Sequence, residues 1–340
     1  MKKNLFFLVS ALILALGMTS CCETIHEYPD EGRAAVSLTM NVRNLAPEIY
    51  TVVDYTIDNA NPGIFGIDEW RSLESRAFDA PQFERYYLGE NKIASNEWNL
   101  RLVWEIYYGT NEEVRIGRGD LIERKVQLID AAIELPSYTT EIDLPAGTYT
   151  LLAWADYVPI GTEDDHFYDT QNMSAIKSDL VLREDCQDND LRDCFARTYE
   201  FRIENVKYLG EPRHYETTLT RPQGRYVVLA TDYKDYLDLS NVPVEQNSVD
   251  CFYPTFLNVG YSIPEARPNL SASQIGYKFT PMRYIFDEKE MVSLGDDYSF
   301  VNGKESHLIL NLTVTNPQGN EISKNENIDI PIYPDKLTIV

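Results

Sequence analysis

Polar and apolar residues alternate with a period of two in one short run after another, the period a half-buried strand requires. Val36, Leu38 and Met40 share one face of Ala34–Met40. Leu100, Leu102, Trp104, Ile106 and Tyr108 share one face of Asn99–Tyr108, with Arg101 and Glu105 opposite. The densest run is Leu144–Tyr157. Pro145 and Gly147 supply turn chemistry at its start. Tyr149, Leu151, Ala153 and Ala155 then face one way, and Thr150, Leu152, Trp154 and Asp156 the other. Large apolar groups on both faces predict a central strand covered on both sides. The same frame, Pro-x-Gly-x-Tyr-x-(Leu/Val)-Leu-Ala, returns at Pro222–Ala230. The interval between the two is shorter than either module of the chain, so one turn-and-strand solution is used twice, without a tandem repeat.

Further strands are expected at Thr139–Leu144, Arg197–Glu204, Tyr215–Leu219, Cys251–Ile263, Gln274–Phe279, Tyr298–Val301 and Lys336–Val340. The best hairpin pairs Leu308, Leu310, Leu312 and Val314 with Ile328, Ile330 and Ile332 around Asn316–Asn320, whose Asn, Pro and Gly favour a turn. Leu121–Leu135 fits strand or helix, and a short helix is expected around Glu69–Ala77. Strands with turns at short spacing and few helical patterns make the chain all-β, with two sandwich-like domains. The expected divisions are 1–20, 21–33, 34–208 and 209–340.

Composition supports this. The 340 residues include 23 Tyr, a strand former, and 44% apolar residues, enough for two cores. A net charge of −24 excludes nucleic acid as a partner, because phosphate binding needs a basic footprint. Residues 1–20 read as a cleaved secretion signal, with Lys2 and Lys3 before the apolar run Leu5–Leu16. That run ends at Met18-Thr19-Ser20-Cys21, and small residues before a cysteine resemble the bacterial lipobox. The implied chemistry is diacylglycerol attachment at Cys21, cleavage before it and acylation of the new amino group, which anchors the protein to a membrane. Glu23–Arg33 then reads as an acidic tether that lifts the folded part off the membrane.

Candidate chemistry is sparse. Cys186 and Cys194 flank a polar loop and are placed for a local disulfide in an oxidising compartment; no histidine is near enough in sequence to make them a zinc site. Asp185, Asp188, Asp190 and Asp193 read as a solvated acidic loop or, against it, as oxygen ligands for calcium without EF-hand spacing. His26, His166, His214 and His307 have no nucleophile or metal partner at a recognisable spacing. No nucleophile elbow, zinc helix motif, P-loop or dinucleotide glycine pattern occurs. Catalytic residues, metals and cofactors are therefore expected to be none. Arg118-Gly119-Asp120 is the tripeptide integrins recognise, and Asn172, Asn269 and Asn311 head N-glycosylation triplets.

The lipobox at Cys21, the Leu144–Tyr157 strand, the Arg221-Pro222 strand ending Ala230-Thr231-Asp232 and the closing run Ile328–Val340 together resemble the fimbrillin-like lipoproteins of type V fimbriae of Bacteroidales, and within them the FimB-type anchor and accessory subunits. The resemblance implies two tandem transthyretin-like β-sandwich domains. It implies a non-enzymatic, lipid-anchored, surface-exposed outer-membrane protein whose partners are other fimbrial subunits. Their joining reaction is strand addition, with a host surface or other bacteria as adhesion targets. An anchor of this family keeps its lipid, whereas a stalk subunit is cut after its first strand, typically at a basic residue; Arg33 and Arg43 bracket the first strand here, which leaves both courses open. The competing readings are a surface glycan-binding lipoprotein of a polysaccharide-uptake system, which requires an exposed aromatic platform, and an enzyme, which requires converging carboxylates in a cleft.

Overall fold

The computed structural model describes residues 33–44, 48–52, 55–57, 65–67, 71–72, 97–133, 135–179, 189–204, 212–231, 233–286 and 289–340. Among these, 64% are strand and 7% helix, so the chain is all-β. In chain order the strands are β1 (Ala34–Val42), β2 (Glu48–Val52), β3 (Tyr55–Ile57), β4 (Phe65–Ile67), β5 (Arg71–Ser72), β6 (Trp98–Tyr108), β7 (Asp120–Asp130) and β8 (Ser137–Leu144). They continue as β9 (Gly147–Pro159), β10 (Tyr168–Asp169), β11 (Ile176–Ser178), β12 (Cys194–Ile203), β13 (Arg213–Leu219), β14 (Gln223–Ala230), β15 (Ser248–Tyr253) and β16 (Leu257–Ser262). The last are β17 (Arg267–Ala272), β18 (Ile275–Phe279), β19 (Met282–Phe286), β20 (Lys289–Phe300), β21 (Ser306–Thr315), β22 (Glu321–Ile332) and β23 (Lys336–Ile339). Two short helices, α1 (Asn111–Arg115) and α2 (Tyr233–Ser240), interrupt them.

The strands gather around two apolar cores. One core holds Val36, Leu38, Met40, Leu102, Trp104, Leu151, Trp154, Phe195 and Leu219. It lies between a three-stranded sheet, β13-β1-β8, and a four-stranded antiparallel sheet, β12-β9-β6-β7. The other core holds Tyr226, Val249, Cys251, Leu310, Leu312 and Ile330. Its sheets are β18-β15-β21-β22 and β19-β20-β14-β23-β2-β5. A smaller sheet, β10-β11-β16-β17, brings Tyr168, Ile176 and Tyr261 onto the first core. Strand β13, which lies beyond residue 208, pairs with β1 and puts Leu219 into that first core.

Both strands of the recurring frame are central in their sheets. β9 runs between β6 and β12, antiparallel to each, with Tyr149 through Ala155 almost wholly buried. β14 runs between β20 and β23 but is parallel to β23. The likeness is thus local to the turn and strand. The hairpin β21–β22 forms in the expected register, with Leu308, Leu310, Leu312, Val314, Ile328, Ile330 and Ile332 all buried. Leu121–Leu135 resolves as strand up to Asp130. Within the expected helix around Glu69–Ala77, Arg71 and Ser72 form strand β5; the rest lies outside the described residues. The alternation also left one thing open on β6: the face opposite Leu100 and Leu102 is buried too, with Arg101 1% and Glu105 4% exposed.

Candidate strand-exchange site

The first strand is the piece on which the three-stranded sheet depends. Among the described residues β8 and β13 have no other partner in that sheet; each is hydrogen-bonded to β1, β8 antiparallel and β13 parallel. Ala34 lies opposite Leu144, Val36 opposite Ile142 and Arg213, Leu38 opposite Thr140 and Tyr215, and Met40 opposite Tyr138 and Thr217. Because strand side chains alternate, this register sends Ala34, Val36, Leu38, Met40 and Val42 to one face. All five are at most 6% exposed. Fully burying four such aliphatic side chains contributes on the order of 6–12 kcal/mol against the conformational entropy of ordering the strand.

The other face carries a polar ladder. Thr39 Oγ1 meets Thr139 Oγ1 at 2.9 Å, and Asn41 Nδ2 donates to Glu216 Oε1 at 2.6 Å. Past the end of β1, the Val42 N–H donates to the Pro136 carbonyl and the Arg43 N–H to the Leu219 carbonyl. Asn44 Nδ2 donates to the Ile133 carbonyl, and the Leu135 N–H donates to Asn44 Oδ1. Arg33, whose Nη2 donates to the Asp143 carbonyl, and Arg43, 3.9 Å from Asp335, are both exposed. The buried strand is therefore flanked at each end by a basic residue open to solvent.

A second group, which the alternation did not reveal, ties the rest of the chain together. Arg101 donates from Nε and Nη2 to both oxygens of Asp156 at 2.8 and 2.7 Å, and from Nη1 to Asp165 at 2.8 Å. Arg221 forks onto Asp193 at 2.5 and 2.6 Å and also pairs with Asp335. Arg192 reaches Asp297 at 2.6 Å, and Arg225 grips Asp296. Arg192 and Arg221 reach from residues beside the first core to strand β20 and the turn before β23. Buried bidentate pairs of this kind fix geometry more than they add net stability.

These contacts place the candidate residues that fall among the described ones. Asp193 is a buried partner of Arg221, neither a solvated acid nor a calcium ligand; Asp185 and Asp188 lie outside the described residues. No cluster of three or more His, Cys, Asp or Glu able to hold a metal occurs among the described residues. Cys194 is a wholly buried thiol that donates to Gln223 Oε1 at 3.1 Å, and burial, with Asp193 and Asp156 nearby, pushes it well above the usual thiol range. Its expected partner Cys186, and Cys21, lie outside the described residues. Cys251 is buried in the second core. His214 is exposed on β13, and His166 packs edge-on against Trp98 and Phe167. His307 sits between Asp329 at 2.8 Å and Glu305 at 3.1 Å; burial lowers its pKa, but these two carboxylates more than offset that and hold it raised. No helix among the described residues is long and apolar enough to cross a membrane.

The fold and the seam thus define a two-core, all-β protein in which β1, the first described strand, joins β8 and β13 into one sheet. A family profile matches residues 71–340, and the chain belongs to that family, DUF6562, a family of unknown function. No curated protein matches it. Among solved structures it is similar to a candidate adhesin from Bacteroides thetaiotaomicron, at 11% identity over 66% of this chain and 72% of that one, with a TM-score of 0.39. It is also similar to the fimbrial anchor protein Mfa2 from Porphyromonas gingivalis, at 13% identity over 85% and 82% of the two chains, TM-score 0.36. The tip fimbrial protein Mfa3 of the same organism, solved with a C-terminal truncation, gives 11% identity, 87% and 81% coverage, and a TM-score of 0.35.

Proposed function

We propose that this chain is a non-enzymatic fimbrial subunit of the cell surface, an anchor, accessory or tip component, that joins other subunits by strand addition and supports adhesion. The observation that carries the reading is β1: five alternate side chains buried in one core, two flanking strands with no other partner in their sheet among the described residues, and an exposed arginine at each end. A cut after Arg43 separates the whole strand from the body. A strand from another subunit then satisfies the backbone groups of β8 and β13 and fills the apolar pockets, the physics of strand addition. A cut after Arg33 leaves β1 in place and removes only what precedes it. A chain left uncut keeps Cys21 and its lipid, and acts as the outer-membrane anchor. On this reading residues 34–208 and 209–340 supply the bulk of the two sandwich modules, with β13 crossing into the first sheet and β2 into the second.

The test is N-terminal analysis of the mature protein taken from the cell surface, with the assembly it co-purifies with. An acylated start at Cys21 identifies an anchor, and a start at Asn44 a subunit that has given up its strand. Recovery only as a free monomer that retains residues 21–43 and associates with no pilin contradicts the proposal.

A further inference from the structure

Among the charged side chains at the corner between β6 and β7, two have no partner among the described residues. Thr110 caps α1, and Glu113 closes the capping box: Glu113 Oε2 accepts from Thr110 N–H at 2.8 Å and from Thr110 Oγ1 at 2.9 Å. Arg115 donates to both oxygens of Glu112 at 2.8 and 2.6 Å and lies 3.8 Å from Glu265. Glu200 accepts from the Asn111 N–H at 2.8 Å. On β7 beyond, Lys125 pairs with Glu123 at 2.5 Å, and Arg124 pairs with Glu105. Between these groups stand Arg118 and Asp120, both exposed, and no hydrogen bond or ion pair from another described residue holds either side chain. The Arg118 charge adds a small favourable field at Glu113, behind the two Thr110 hydrogen bonds that chiefly hold that carboxylate's pKa down.

The residue between them is fixed in place. A Cβ on Gly119 would lie 2.6 Å from Val114 Cγ2 and 3.2 Å from Val114 Cα, so the backbone passes too close to α1 for any side chain. Gly117, at φ +73°, turns the chain out of the helix, and the Arg118 N–H is tied to the Glu113 carbonyl at 2.7 Å. Asp120 is the first residue of β7 and lies opposite Tyr108. The Arg118-Gly119-Asp120 tripeptide is therefore held against a capped helical turn, with its cation and its carboxylate both offered to solvent. Ile116, Leu121 and Ile122, each about half exposed, give it an apolar rim.

We propose that this corner is a receptor-binding site for a protein of integrin chemistry: one that presents a bound divalent cation with an open position beside an acidic pocket. The Asp120 carboxylate ligates the cation, the hard oxygen donor such an ion takes. The Arg118 guanidinium enters the acidic pocket through its fork of N–H donors. Holding both on a rigid turn lowers the ordering cost that a linear peptide meets on binding. The site is remote in sequence from β1, and it stands or falls independently of the strand-exchange reading.

The test immobilises the full-length chain and flows the soluble ectodomain of the vitronectin-receptor integrin over it in manganese. The expected result is saturable binding that chelation by EDTA abolishes and an excess of linear Arg-Gly-Asp peptide competes away. Asp120→Glu, which moves the carboxylate out by one methylene, and Arg118→Ala each weaken it at least tenfold while the melting temperature is unchanged. Absence of binding by the unmodified chain, or binding that stays within threefold in Asp120→Glu or in excess peptide, overturns the proposal.

Discussion

Leu38 lies at the middle of β1 with none of its side chain exposed, between Thr140 on one neighbour and Tyr215 on the other. Leu38→Ala removes that side chain from the first core; a loss of about 2–5 kcal/mol in urea unfolding is expected. Thr39→Ala, on the outer face, is expected to cost well under half of that. His307 gives a pH-dependent case. Its folded pKa is raised by Asp329 and Glu305, so its stabilising effect is present below the ordinary histidine value of 6.5 and fades as the pH rises through the folded pKa. His307→Gln should therefore melt lower than the parent at pH 5.5 and level with it at pH 8.5; an equal deficit at both would contradict the pairing. Much at this scale was readable from the residues alone, because Val36, Leu38 and Met40 announce their common face by spacing. The burial of Arg101, Arg192, Arg221 and Arg225 was not readable, because alternation assigns a side chain to a face without saying what covers that face.

The elements divide the same way. The β21–β22 hairpin was legible because its pairing is local: Asn316–Asn320 makes the turn, and the inward register follows from it. The parallel pairings of β1 with β13 and of β14 with β23 join segments far apart in the chain, with no turn chemistry to mark them. The short helix α2 was missed for another reason: its tyrosines and leucines also fit the β pattern on either side. Arg221 then shows what links these elements. It forks onto Asp193 ahead of β12 and reaches Asp335 ahead of β23. Arg221→Met leaves Asp193 buried without its cation, and a loss of about 3–5 kcal/mol in thermal or urea unfolding is expected. Adding Asp193→Leu to that variant should recover most of the loss, since the unpaired charge is then gone.

At the scale of the molecule, the first two strands serve different cores. β1 completes the sheet over the first core, while β2 lies beside the carboxy-terminal strand β23 in the sheet over the second. A break between them at Arg43–Asn44 therefore severs only the covalent link of β1 to the body and leaves every strand of the second core's sheet on one piece. The measurement that bears most directly on the account inserts a specific protease site after Asn44, cleaves the folded chain, and adds a labelled peptide of sequence Ala34–Val42. The account predicts that the cleaved chain holds its own strand until exchange, then takes up the labelled peptide one to one. A peptide with its apolar positions moved by one residue should not enter, because that shift turns every pocket-filling side chain outward. Loss of the strand on cleavage with no drop in stability, or equal uptake of the two peptides, would contradict it.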